Sequence, residues 1–251
     1  MNQRLKKKVK KMINLTAEYW EGVTPEDLKM KGKGLAISEP EQNIKEKELE
    51  RLAEITQFEK ELWDTQVEFI AGVDEVGRGP IAGPVVAAAV ILPKNAVFAG
   101  INDSKKLSEK KRLALEKLIK ENCVAWAIGA VGPTMIDRIN ILEASKLAMK
   151  MAIEKLPVPA EHLLVDAVNL QVDIPQTDIV KGDAKSISIG AASIIAKCHR
   201  DRMMKVYDKI YPEYGLAGHA GYPTKAHKEA VFTYGYSKIH RKSFKLKPIK
   251  K

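Results

Sequence analysis

The stretch "AGVDEVGRGPIAGPVVAAAVIL", residues 71–92, sets two apolar runs on either side of the seven residues "GRGPIAG". A crossover to a parallel neighbour takes about a dozen residues or more, so these two runs must pair antiparallel. The first run carries two adjacent acids, Asp74 and Glu75, directly against a Gly-Arg-Gly turn.

Further β-branched apolar runs follow outward from this pair: "VAWAIGAVG" at 124–132, "HLLVDAV" at 162–168 and "TDIVKGD" at 177–183. Amphipathic stretches separate them. One runs from Ser108 through "EKKRLALEKLIKE", one from Thr134 through "MIDRINILEASKLAMKMAIEKL", and one along "IGAASIIAKCHRDRMMKVYDKI". Two short helices are expected after Thr224 and Ser237. An antiparallel pair joined to helix-separated strands gives a mixed central sheet flanked by helices, an α/β fold.

Residues 1–66 have a different texture and are expected to form a separable helical N-terminal extension, with residues 67–251 as the main domain. Thr24, Pro25 and Asp27 resemble a capped helix start, "SEPE" at 38–41 a capping box, and "KMKGKGLAI" at 29–37 a loop or hinge. Leu49, Leu52, Ile55, Phe58 and Leu62 recur at helical steps, predicting one further helix with an apolar stripe that packs on something.

The 251 residues are 45% hydrophobic, enough for one good-sized core. No apolar run approaches the roughly 18–20 residues of a membrane helix, and "MNQRLKKKVKKM" lacks the apolar centre of a secretion signal, so a cytoplasmic protein without membrane attachment is expected. Cys123 and Cys198 lie in apolar contexts that suit reduced, packed thiols. Net charge is +10; residues 1–66 hold 13 Lys/Arg against 13 Asp/Glu, so the excess belongs to the later domain. Such a surplus favours a polyanionic partner. "KIHRKSFKLKPIKK" at 238–251, with seven Lys/Arg and no acid, suits a nucleic-acid backbone or a solubilising tail.

Acids at the ends of apolar strands are costly to bury unless cations compensate them. Asp74 with Glu75, Asp166 after "LLV" and Asp183 after "IVKG" occupy such places and are expected to converge. Oxygen donors without His or Cys suit Mg²⁺ or Mn²⁺, and paired ions at carboxylates serve in-line displacement at phosphorus. For each acid singly, capping a helix or pairing with Arg78, Lys181 or Arg200 competes evenly with this reading. Adjacent side chains on a regular strand point to opposite faces, so Asp74 and Glu75 share a site only where the strand ends or bends. Gly77 and Gly79 offer that bend, Arg78 a fork for phosphate, Lys105 a cation in a turn and Tyr222 a ring in a Gly-Pro turn. His219, His227 and His240 match no metal spacing and are expected on loop or helix surfaces.

Taken in order, "AGVDEVGRGPIAGPVVAAAVIL", "NDSKKLS", "LLVDAVN", "KGDAKSISIGAASIIAKCHRD" and "GYPTKAH", ending at "HRKSF" (240–244), resemble bacterial ribonuclease HII. The resemblance implies a ribonuclease H-like fold and endonucleolytic cutting of RNA within RNA/DNA hybrids and at single ribonucleotides in duplex DNA. It implies 3′-hydroxyl and 5′-phosphate ends, a Mg²⁺ or Mn²⁺ cofactor, a role in ribonucleotide repair and primer clearance, and a monomer. Carried over by motif, Asp74, Glu75, Asp166 and Asp183 are the metal-binding catalytic acids. Gly77, Arg78 and Gly79 resemble the loop that senses the 2′-hydroxyl, Lys105 a phosphate contact, and Tyr222 the ring against the following deoxyribose. Arg78 argues against the neighbouring ribonuclease HIII family. Ala220 departs from the pattern, since many relatives have lysine there, and residues 1–66 align to none of these motifs. A hybrid-binding module without catalysis, or another phosphoryl-transfer enzyme on the same fold, are the competing readings.

Overall fold

A computed structural model describes residues 39–95, 98–102 and 104–246, with helix side chains described from residue 47 onward. The features expected around Thr24–Asp27, the 29–37 loop, the Ser38 cap, Asp103 and residues 247–251 lie outside these.

The apolar runs form five strands: β1 (Ile70–Val76), β2 (Val85–Ile91), β3 (Ala125–Val131), β4 (His162–Asp166) and β5 (Gln176–Ile179). They make one sheet in the order β3-β2-β1-β4-β5. β1 pairs antiparallel with β2, as the short connection requires, and parallel with β4; β4 pairs parallel with β5. The expected mixed sheet is therefore present, with β1 at its centre.

The period-two pleat divides the core between two helical layers. Val85, Ala87, Ala89 and Ile91 face α4 (Pro133–Glu154) together with Ala71 and Val73. Ala88 and Val90 face α5 (Ile187–Ile210), and α3 (Glu109–Asn122) packs on α5. Side-chain caps start the helices, two at the expected Ser108 and Thr224 and one at Ser186, which the sequence reading did not name: they accept from Lys111 N, His227 N and Ile189 N. The Thr224 cap opens α7 (Lys225–Tyr234), preceded by the four-residue turn α6 (Leu216–His219).

Three expectations are corrected. The stripe from Leu49 to Leu62 is split into two helices, α1 (Glu39–Ile55) and α2 (Gln57–Asp64), by a turn at Thr56, whose hydroxyl donates back to Leu52 O. Along that stripe Leu49 is exposed, while Leu52 and Ile55 join the α5-side core and Trp63 packs with Ile70, Leu164, Ile179 and Ile189. The second half of the extension thus packs into the main core. The long helix α4 is interrupted at Asn140 (φ 69°, ψ 168°), whose side-chain oxygen accepts from Leu142 N and Glu143 N and restarts the helix. Among the described residues no helix follows Ser237; the chain turns there and His240 bridges to Ala82. Cys123 and Cys198 are buried thiols packed among apolar side chains, as expected.

Candidate active site

The four acids sit where the sheet runs out. The β1–β4 pairing ends at Val73 opposite Val165, so Asp74 and Asp166 are the next residues on neighbouring strands. Asp74 is buried, held by Ser193 of α5, and its Oδ1 accepts from Glu75 N at 2.7 Å. Burial first, then the nearby Glu75 and Asp166 charges, raise the Asp74 pKa well above the usual carboxylate range. Burial also raises Glu75, against a lowering contribution from Arg78, whose Nη1 lies 3.2 Å from Glu75 Oε1. Asp166 Oδ1 accepts from Gly182 N at 2.7 Å, which draws the turn carrying Asp183 onto the end of β4. Lys105 Nζ stands 4.0 Å from Asp183 Oδ2. Asp74 and Glu75 both lie inside β1, opposite Ala88 and Ala87 of β2, so the strand neither ends nor bends between them as the sequence reading required; the pleat sends their side chains apart, although both sense the Asp166 charge.

Among the described residues, no group of three or more His, Cys, Asp or Glu side chains is placed to hold a metal ion. The donor set nevertheless fits a hard divalent cation. All four candidates are oxygen donors, the buried Glu75 Oε2 has no hydrogen-bond partner, and clustered carboxylates destabilise one another until a cation joins them.

Beside the acids the Gly-Arg-Gly loop leaves β1. Gly77 has φ +96°, and a Cβ there would collide with the Arg200 side chain. Gly79 lets the Tyr222 ring approach, a Cβ at that position being 3.3 Å from it. The structure thus brings Arg78 to Glu75, the Tyr222 ring to Gly79 and Lys105 to Asp183.

What holds this loop was missed in the sequence. Arg200, listed above as a rival partner for the acids, is fully buried and donates to the carbonyls of Ala82, Pro84 and Ala220. Arg241, also fully buried, donates to Gly77 O, Arg78 O and Gly83 O. Ala220, the departure from the family pattern, contributes through its backbone. Burial and the Arg200 charge lower the Arg241 pKa to about 9, so it stays a cation at neutral pH.

The placing of His227 and His240 on the surface is overturned, since both are buried; His219 is half-buried and stacks on His227 with ring centroids 4.3 Å apart. Ser237 N donates to His240 Nδ1, so His240 carries its proton on Nε2 and donates to His227 Nε2 at 3.1 Å; His227 Nδ1 in turn donates to Tyr222 O at 2.9 Å. Two neutral rings thereby fix the Tyr222 turn. Histidines and arginines are polar by composition, and nothing in their local pattern distinguishes a buried clamp from a solvated tail.

Residues 71–247 match the family model described as Ribonuclease HII. The chain belongs to the ribonuclease HII family. It is 55% identical over 199 residues to a Ribonuclease HII of Bacillus cytotoxicus, covering 79% of this chain and 77% of that protein. It is 50% identical over 223 residues to one of Ligilactobacillus salivarius, covering 88% of this chain and 87% of that one. The latter match is longer than residues 71–251 can supply, so it reaches into the N-terminal extension that the motifs left unaligned. The crystal structure of the ribonuclease H2 from Pyrococcus horikoshii superposes with a TM-score of 0.60 at 28% identity, over 70% of this chain and 93% of that one, and the ribonuclease H-like fold is shared. As a ribonuclease HII, this is a divalent-metal-dependent endoribonuclease that cleaves the RNA strand of RNA/DNA hybrids and single ribonucleotides in duplex DNA, leaving 3′-hydroxyl and 5′-phosphate ends. No helix among the described residues is long and apolar enough to cross a membrane.

Proposed function

We propose that Asp74, Glu75, Asp166 and Asp183 hold Mg²⁺ or Mn²⁺ and carry the hydrolysis, while Gly77, Arg78, Gly79, Lys105 and Tyr222 bind the substrate and read the ribonucleotide. The observation that supports this is that burial and the Asp166 charge raise both Asp74 and Glu75, that Gly182 N, next to Asp183, donates to Asp166, and that Arg78 pairs with Glu75.

Asp74, Glu75, Asp166 and Asp183 would hold the divalent metal, which would supply Lewis acidity to the scissile phosphodiester. The chain's own part is positional. Water attacks phosphorus, the P–O3′ bond breaks, and the departing O3′ takes a proton to become the 3′-hydroxyl. Arg78 and Lys105 offer cationic donors to the phosphates on either side of the acids. The narrow backbone at Gly77 and Gly79 admits a strand closely enough to test for a 2′-hydroxyl, and the half-exposed Tyr222 ring backs the following sugar. Sequence preference is slight, because none of these groups addresses base edges.

The protein acts as a cytoplasmic monomer on hybrids and on ribonucleotide-containing duplex. Residues 1–66 form a helical extension to a catalytic domain of residues 67–251, and the second half of that extension braces it.

The test uses a DNA duplex with one embedded ribonucleotide, incubated with Mg²⁺, Mn²⁺ or chelator beside an all-DNA control. Metal-dependent incision on the 5′ side of the ribonucleotide, lost in Asp74→Asn, is the expected result. Cleavage of long hybrids alone would remove the junction-reading role from Arg78 and Tyr222, and cleavage by Asp74→Asn would remove the acids.

A further inference from the structure

The extension holds one residue that no apolar-stripe argument explains. Glu59 lies on the buried face of α2 and is completely inaccessible, in a helix otherwise anchored by Trp63, Phe58 and Leu62. A lone buried carboxylate is expensive and is kept only where its oxygens have work to do. Its Oε1 accepts from Ser186 Oγ at 2.6 Å and from Ser188 N at 3.0 Å. Burial raises its pKa against these hydrogen bonds.

Ser186 is the N-cap of α5, its own Oγ accepting from Ile189 N at 3.2 Å. Its backbone N donates to Gly182 O at 2.9 Å, closing the short turn Gly182–Ala184 that holds Asp183. Gly182 N, at the other end of that turn, donates to Asp166 Oδ1 at 2.7 Å. A path of hydrogen bonds and short backbone therefore runs from α2 through the cap and the turn to Asp166, with Asp183 carried on that turn. Among the described residues, the extension is linked to the acids through this path.

We infer that Glu59 is a positioning residue for the metal site: by holding the Ser186 cap it fixes the Gly182–Ser186 turn, and so the spacing of Asp183 from Asp166. This rests on the reading of those acids as metal-binding. Outer partners that orient ligands change metal affinity or activity by about tenfold or more when removed, and Glu59 acts one step further out. The effect falls on metal requirement and turn order, and the maximal rate at saturating metal is kept.

Full-length Glu59→Ala, Ser186→Ala and Leu52→Ala would be compared with the parent protein by single-turnover cleavage across a Mg²⁺ titration, by Mn²⁺ binding calorimetry, and by amide exchange of residues 182–188 in metal-free protein. Leu52 is buried in the same extension but outside the hydrogen-bond path, so it controls for general loosening. The expected result is a rise of about three- to tenfold in half-saturating Mg²⁺ for Glu59→Ala and Ser186→Ala, with matching weaker Mn²⁺ binding and faster exchange. Leu52→Ala should leave all three unchanged. Should Glu59→Ala fold too poorly to assay, Ser186→Ala breaks the same path from the other side and decides the matter. Unchanged metal dependence in both, or an equal shift in Leu52→Ala, overturns the proposal. Asp183→Asn is run in parallel: if it still cleaves, the acids were misassigned and the proposal falls with them, whereas if it is inactive while Glu59→Ala is unshifted, only the positioning role fails.

Discussion

At the end of β1 and β4, carboxylates crowd one another: Asp74 feels Glu75 and Asp166, and among the described residues the exposed Arg78 and Lys105 stand as cations beside Glu75 and Asp183. A few residues on, at the Gly-Arg-Gly loop, two buried guanidiniums crowd one another in the same way, yet six backbone carbonyls accept from them. The first region is charged and under-compensated, while the second is charged and satisfied. The difference teaches where each ends up in function: a deficit of positive charge is a place for external cations, and a fully bonded cation is scaffolding that can hold a reading loop still.

The contrast breaks most directly at Asp74. Asp74→Asn should lower cleavage by about a thousandfold, while raising the melting temperature in chelator by about 2–4 °C because a buried, repelled charge is removed. A fall in melting temperature would mean that the acids are internally satisfied after all. At the other region, Arg241→Met should destabilise the protein by about 3 kcal/mol in urea unfolding, since three carbonyls lose their donor. A neutral result would show the loop holding its shape without the clamp.

Acidification should move the two regions in opposite directions. Burial, then the neighbouring His227, depresses His240 to about 4 from an ordinary 6.5, so its stabilising contribution is complete above 6.5 and is lost as pH falls toward 4. Both ring nitrogens that would take the extra proton, His240 Nδ1 and His227 Nε2, already face a donor. Asp74 has a raised pKa, so its penalty is present at neutral pH and is relieved as pH falls through that raised value. Amide exchange between pH 6.5 and 4.5 should therefore show the Tyr222 turn loosening by on the order of 2 kcal/mol while β1 does not, and His240→Phe should flatten the response of the turn. The smallest effect belongs to Tyr222→Leu. Its ring is 43% exposed, so stability should stay within about 0.5 kcal/mol, while incision at a single ribonucleotide drops about tenfold relative to a long hybrid.

The strands, their antiparallel start and the helix starts at Ser108 and Thr224 were legible because each depends on residues close in sequence. The four acids were legible for a related reason: a carboxylate at the end of a β-branched run is a local contradiction that only function or pairing resolves. Where the sequence misled on the helices, short side-chain-to-backbone bonds inside an apolar pattern decided the outcome. Thr56 ends a helix inside an unbroken apolar stripe, and Asn140 interrupts another helix by capping its own successor.

By itself, then, the sequence determined a mixed sheet, the acids that cluster at its end, and the loop of Gly77, Arg78 and Gly79 beside them, because period, turn length and misplaced charge are written along the chain. Only the tertiary structure decided that Arg200, Arg241, His227 and His240 are interior clamps and that Glu59 reaches the turn of Asp183. The physical reason is that a buried polar group is tolerated only by partners brought to it from elsewhere: Arg241 from Gly77, Arg78 and Gly83, Glu59 from Ser186 and Ser188. Such partners lie more than a hundred positions away, where no local pattern can announce them.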